Sequence, residues 1–209
     1  MFRGLSAGAL NTLAQAAVKR DMRAREVLYE EGDSASSCFV LLAGTMQFNV
    51  RLGRQRVIAS LAFENEVFGL ESLRSPGTRP DSAMAACPAH ALELDADTFR
   101  RFLLEHPRFQ LELMSYMVSK LHEKVTHAVQ TGHYDAEQKI AAYLINGGSG
   151  TKAGKTKSLS QAELADYLSL TPETFCRKVS KFRQLGWIAG RGNEYTVKRH
   201  DALQSLLER

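Results

Sequence analysis

The stretch "LTPETFCRKVSKFRQLGWI", Leu170 to Ile188, decides how the rest of the chain is read. Thr171 is placed to cap a helix, and Pro172 takes its first position, where a backbone N–H would have no intrahelical partner. Upstream, in "SQAELADYL", Ser160 and Glu163 fit the S-x-x-E capping box of a helix ending near Leu168. Ser169-Leu170-Thr171 leaves a turn of about three residues, and two short helices so joined form a helix–turn–helix unit. Leu164, Leu168, Phe175, Val179 and Phe182 supply apolar faces to pack the two together. Downstream, "WIAGRGNEYTVKR" reads as strand, turn and strand around Gly190-Arg191-Gly192-Asn193, a hairpin wing.

Glu173 and Arg177 lie four residues apart in the second helix. As a surface pair in this order they contribute about 0.2–0.5 kcal/mol, and on helix logic alone a salt bridge is the better reading. The context reverses that preference. Residues near the start of the second helix of a helix–turn–helix face base edges in the major groove. Arginine bonds guanine through two hydrogen bonds, and glutamate accepts from cytosine N4. The two readings are compatible, with Glu173 orienting Arg177 while both read bases. Lys178, Lys181 and Arg191, with Ser160, Gln161, Thr171 and Thr174 at the two helix starts, are the candidate phosphate contacts, which add affinity without sequence information. Charge agrees: from Thr151 onward there are 11 Lys+Arg against 6 Asp+Glu, whereas the first 150 residues hold 16 against 17. The positive excess sits where a nucleic-acid-binding segment is expected.

Working back toward the N-terminus, Pro107 to about Gly132 is the clearest helix, with Pro107 in its first turn and Gly132 at its end. Leu111, Met114, Val118, Leu121, Val125 and Ala128 recur at alternating spacings of three and four, an a/d seam favouring a two-stranded parallel coiled coil. Phe109, Leu113, Tyr116 and Met117 form a second apolar face, so one helix can pack on its own domain and on a partner chain at once. Before it, "DADTFRRFLLEHP" reads as a short helix. From about Arg25 to Leu94, short apolar or alternating runs broken by glycines predict an all-β barrel or sandwich, preceded by a helix from Ser6 to about Val18. The expected architecture is α+β: a sensor domain over residues 1–106, a long helix over 107–132 and a winged helix–turn–helix domain over 133–209.

Several function classes drop out. No apolar run approaches the roughly 18 residues of a membrane span, and the first residues lack a signal-peptide pattern, so the expected place is the cytoplasm. Cys38, Cys87 and Cys176 are scattered, giving neither a disulfide framework nor C-x-x-C metal spacing. No nucleophile–base set, paired carboxylates or metal cluster indicates an enzyme. The loop "NGGSGTKAGKTKS" lacks the spacing of a triphosphate cradle.

Over nearly its full length the sequence resembles the CRP/FNR superfamily of bacterial transcription regulators. "LYEEGD…CFVLLAGTMQF" and "ALELDADTFRRFLLEHP" resemble the opening and exit of the cyclic-nucleotide-binding-type β-roll (jelly roll), and "LSLTPETFCRKVSKFRQLGWI" resembles the family's E-x-x-[SG]-R recognition helix. The wording "TPETF" is closest to the denitrification-type branch. The resemblance implies a homodimer, Glu173 and Arg177 as base readers, Cys176 at the base-contacting serine position, palindromic double-stranded DNA with TGA-type half-sites, and RNA polymerase as partner of an activator. It places the effector pocket at Phe68, Gly69, Leu70, Ser82, Met84, Tyr116, Met117 and Lys120. In "VFGLESLRSPGTRPDSAMA", Leu70 stands where cyclic-AMP-binding members have a ribose-holding glutamate, and Asp81 where they have the phosphate-binding arginine, with Arg79 out of register. That argues against cyclic AMP, and the missing N-terminal cysteines argue against an iron–sulfur cluster. Haem with one of six histidines as ligand, sensing NO or CO, and an apolar small molecule both stay open. So does a different class of protein, a ligand-binding module whose basic C-terminal domain grips a protein partner.

Overall fold

The structure, a computed structural model, describes residues 5–74, 76–145, 159–190, 192 and 194–208. The Gly/Lys-rich stretch 146–158 and Arg191 lie outside the described residues. Helix α1 (Ala7–Ala16) is capped by Ser6, whose Oγ accepts the Ala9 N–H at 3.2 Å. It ends two residues earlier than expected, because β1 (Val18–Met22) begins there and pairs antiparallel with β8 (Ala89–Asp95). Strand β1 was not foreseen. Four of its five residues are exposed, leaving no alternation to read.

The other strands are β2 (Val27–Tyr29), β3 (Ser37–Ala43), β4 (Met46–Leu52), β5 (Gln55–Ala62), β6 (Val67–Phe68) and β7 (Ser82–Ala85). They form two four-stranded sheets, β1-β8-β3-β6 and β2-β7-β4-β5, closed face to face as a roll. Phe39, Leu41, Met46, Phe48, Phe68 and small alanines of β7 and β8 fill the space between them. Facing small residues against large ones lets the two layers interdigitate at crystal-like density.

Helix α2 (Ala96–Glu105) starts at Asp95, whose carboxylate accepts the N–H groups of Asp97 and Thr98. Such a cap is worth about 1 kcal/mol. Helix α3 (Pro107–His133) passes through Gly132 and closes at Tyr134 instead. Its inner face buries Phe109 and Leu113 against Phe99 and Phe102 of α2. Tyr116 continues that face: its hydroxyl accepts the Val67 N–H at 3.1 Å and donates to the Val67 carbonyl at 3.3 Å, satisfying the edge strand β6. Met117, expected on the inner face, is exposed. The seam residues Leu111, Met114, Val118, Leu121 and Val125 are 53–68% exposed, and Ala128 is exposed too.

The C-terminal head comprises α4 (Ala136–Ile145), α5 (Gln161–Tyr167), α6 (Pro172–Gln184), the pair β9 (Ile188–Ala189) and β10 (Thr196–Val197), and α7 (His200–Leu207). Its core joins Ile140, Leu164, Phe175, Val179, Phe182 and Leu203. The head rests on the outside of the β2-β7-β4-β5 sheet. Leu61 and Ala86 pack into its core, Asp166 accepts the Ile58 N–H at 3.1 Å, Arg25 pairs with Glu163 at 3.2 Å, and Tyr167 stacks on His127 of α3. No helix among the described residues is long and apolar enough to cross a membrane.

Candidate nucleic-acid interface and effector region

Helices α5 and α6 form where the caps predict. Ser160 Oγ accepts the Glu163 N–H at 3.2 Å while Glu163 returns to the Ser160 N–H at 2.7 Å. Thr171 Oγ1 accepts the Thr174 N–H, and Pro172 opens α6. The hydroxyls of Ser160 and Thr171, expected at phosphates, are thus accepting backbone N–H groups at the two helix starts. Helix α6 buries Phe175, Val179 and Phe182 and turns Glu173, Arg177, Ser180 and Gln184 to solvent on the opposite side. Among the described residues neither Glu173 nor Arg177 makes an ion pair, so the i,i+4 spacing does not close into a salt bridge here.

Three expected contacts are turned elsewhere. Lys178 and Lys181 both point at Glu137 of α4, at 2.8 and 2.6 Å, and their hydrogen bonds hold that carboxyl below the usual carboxylate range. Their spacing of three places both ammonium groups on the flank of α6 that faces α4, not on its outward stripe. Cys176 sits between the stripes with Sγ 3.1 Å from Gln161 Oε1, and Gln161 Nε2 donates to the Gly192 carbonyl at 2.9 Å. If Glu137 neutralises the two lysines, Glu137→Gln frees them. The expected result is tighter binding to random duplex DNA and a salt dependence steeper by up to about 1.8 per subunit, two phosphates at about 0.9 each. An unchanged slope in a salt titration would show that the lysines do not reach DNA.

Among the described residues, most of the expected effector positions already have partners of their own. Phe68 is buried between Phe39 and Phe48, at ring distances of 5.1 and 5.4 Å. Gly69 holds a left-handed turn into the 3₁₀ segment Leu70–Leu73. Ser82 donates to Glu30 and accepts from the Glu31 N–H. Met84 lies in β7, Met117 is exposed, and Lys120 pairs with Glu66 and Glu123. A cavity of about 510 Å³ opens between β1 and β2, with Tyr29, Ser37, Phe39 and Arg79 in its wall.

Arg79, which the sequence left out of register, is the structural surprise of the roll. It is 4% exposed. Its guanidinium lies 4.1 Å over the Tyr29 ring, pairs with Glu71 at 2.6 Å and donates to the Ser37 carbonyl at 2.7 Å. Gly69 makes room for it, since a Cβ there would stand 2.9 Å from Arg79 Nη1. Asp81 lies beside the Tyr29 hydroxyl, and burial, with Glu71 nearby, raises its carboxyl above the usual range. No sequence signal marks this arginine as buried, because its turn, "SPGTRPD", is polar and broken by glycine and prolines.

Among the described residues no three His, Cys, Asp or Glu are grouped to hold a metal. His106 Nδ1 lies 2.8 Å from the Phe102 carbonyl, and His90 meets Asp21. Burial pushes the Cys38 thiol up to about 12.

Comparison with known proteins adds two family matches: "Cyclic nucleotide-binding domain" over residues 19–106 and "Crp-like helix-turn-helix domain" over 138–206. The chain is 21% identical to the "CRP-like cAMP-activated global transcriptional regulator" of Mycobacterium tuberculosis, covering 97% of this chain and 94% of that protein. It is 22% identical to the "Fumarate and nitrate reduction regulatory protein" of Escherichia coli K12, covering 90% and 78%. In fold it is similar to FixK2 from Bradyrhizobium japonicum, with a TM-score of 0.82, 21% identity, and coverage of 91% and 96%. With the roll, the long helix and the capped helix–turn–helix in place, these matches show that the chain belongs to the CRP/FNR superfamily of DNA-binding transcription regulators.

Proposed function

We propose that the protein is a homodimer that places one α6 per subunit in successive major grooves of a palindrome with TGA-type half-sites. Glu173 and Arg177 read bases, and Thr174, with the N–H groups at the starts of α5 and α6, meets phosphates. The observation that carries this reading is the outward stripe of α6, where, among the described residues, Glu173 and Arg177 make no ion pair, opposite a face that buries Phe175, Val179 and Phe182. The dimer is supported by the exposed seam of α3. Fully burying a Val, Leu or Met side chain is worth about 1.5–3 kcal/mol, so five exposed side chains of this kind in heptad register favour a second helix. As an activator the dimer would partner RNA polymerase.

The effector is other than cyclic AMP. The Mycobacterium relative is named as cyclic-AMP-activated. In this chain Phe39 and Phe68 pack in the roll interior near the corresponding segment, and the two terminal nitrogens of Arg79 serve Glu71 and the Ser37 carbonyl, while its Nε has no partner among the described residues. An apolar small molecule, or NO or CO on haem, acting at the α3 side would compete with the Tyr116–Val67 and Lys120–Glu66 contacts. A ligand shifts the head only through a difference in affinity between its two orientations.

The test is selection of bound sequences from a random duplex pool, with the visible spectrum recorded. The wild type is expected to recover a palindrome, and Val118→Glu/Leu121→Glu to sediment as a monomer and recover none. Enrichment by the monomeric variant equal to wild type would sink the dimer. A Soret band would select haem over the apolar ligand. No enrichment with any candidate effector would favour a protein partner for the basic head.

A further inference from the structure

We infer that Gln161 is a positioning residue for DNA binding, whose side-chain amide fixes the wing against the recognition helix, with Cys176 facing this clamp instead of the groove. The inference rests on the reading of α6 as the DNA-reading helix.

Among the described residues, strands β9 and β10 share two residue pairs, Thr196↔Ala189 and Val197↔Ile188. So short a ladder does not hold a hairpin's direction without further contacts. The contacts come from both helices of the helix–turn–helix. Gln161, the first residue of α5, donates to the Gly192 carbonyl at 2.9 Å, and Arg183 in the last turn of α6 donates to the same oxygen at 2.8 Å. The orientation of the amide is forced. A carbonyl can only accept, so nitrogen faces Gly192 and oxygen faces the Cys176 Sγ, 3.1 Å away. One side chain therefore ties three pieces: the start of α5, the middle of α6 and the wing. At the neck, Gly190 is held at φ +113, and a Cβ there would lie 2.2 Å from the Glu194 carbonyl oxygen, so the turn cannot relax by a side-chain substitution.

This arrangement also accounts for cysteine at a position where an outward hydroxyl is the family expectation. A thiol is a weak donor, sufficient to hold an amide oxygen in a partly buried niche. An amide engaged at both ends is not free to contact a phosphate, so Gln161 would act on DNA through the wing.

The test uses the full-length protein and the palindrome recovered by selection. Gln161→Leu is one atom shorter, keeps an uncharged side chain and loses the hydrogen bonds to the Gly192 carbonyl and Cys176. Cys176→Ala removes one arm, and Cys176→Ser keeps a donor there. Trp187, the sole tryptophan, lies at the wing's base, where its carbonyl accepts the Lys198 N–H, and acrylamide quenching of its emission reports on the wing without DNA. Gln161→Leu is expected to lower affinity about tenfold, to flatten the salt dependence by about one phosphate, ~0.9, per subunit, and to make Trp187 easier to quench, with base preference unchanged. Cys176→Ser should match the wild type, and Cys176→Ala should fall between. Wild-type salt slope and quenching in Gln161→Leu would overturn the clamp. So would altered base preference, which would make Gln161 a reader. If Gln161→Leu does not fold, equal behaviour of Cys176→Ala and Cys176→Ser overturns the proposal and graded behaviour supports it. If the wild type binds no duplex, the DNA reading fails, and Trp187 quenching alone then decides for or against the clamp.

Discussion

Arg177→Ala is expected to weaken binding to the palindrome by about 2–6 kcal/mol, at 1–3 kcal/mol for each of two half-sites, or roughly 30-fold to 10⁴-fold. The folded protein should hardly notice. Arg177 is exposed and makes no ion pair among the described residues, and surface changes of this kind usually stay within about 0.5 kcal/mol of stability. That separation makes the experiment clean: a loss of affinity without a loss of stability has to come from the DNA side. Anisotropy titrations on the palindrome, on the same site with its guanines changed, and on random duplex distinguish the roles. A base reader loses affinity on the first and little on the others, and its half-site preference relaxes. A phosphate contact loses the same factor on all three and lowers the salt slope by about 0.9 per contact. Arg177→Lys is expected to recover little, because an ammonium cannot present the paired N–H groups that match guanine O6 and N7. Equal loss on all duplexes would remove Arg177 from the base-reading pair and leave α6 with only Glu173 to specify sequence.

The features legible in the sequence were those set by neighbours a few residues away. The capping box of Ser160 and Glu163 and the Thr171–Pro172 start depend on residues at most three apart, and the structure places both helix starts where the sequence does. The two faces of α3 follow from one period, and only Met117 left its assigned side. What could not be read depends on residues far apart in the chain. Lys178 and Lys181 look like phosphate contacts until Glu137, some forty residues earlier, is packed beside them. The effector residues were assigned by position in a segment, whereas the partners that each of them meets are set by how two sheets close. Strand β1 has too little buried surface to show a pattern, and its place is set by the partner strand β8. The most consequential case is Arg79. A charged residue in a polar turn gives no sign of burial, because burial there is created by Glu71, Ser37, Tyr29 and the absence of a Cβ at Gly69.

Arg79→Met should therefore cost about 3–5 kcal/mol of folding stability, the range for removing one partner of a buried ion pair. Three losses combine in it. Glu71 keeps its charge without its partner, the Ser37 carbonyl loses its 2.7 Å donor, and the Tyr29 ring loses the guanidinium stacked on its face. Arg79→Lys should restore less than half. A single ammonium cannot serve Glu71 and the Ser37 carbonyl with a planar fork while lying flat on an aromatic ring. The double change Arg79→Met/Glu71→Leu separates charge from packing. With both ionic groups gone no charge is stranded, and stability should return to within about 1–2 kcal/mol of the wild type, since replacing a whole buried pair by apolar groups is often neutral. Urea titrations of the four proteins measure all of this, with a constant m-value showing that the denatured state is not the source. If Arg79→Met costs under 1 kcal/mol, the guanidinium is not holding the roll shut, and the β1–β2 cavity that it lines would then be the place to look for a ligand that does.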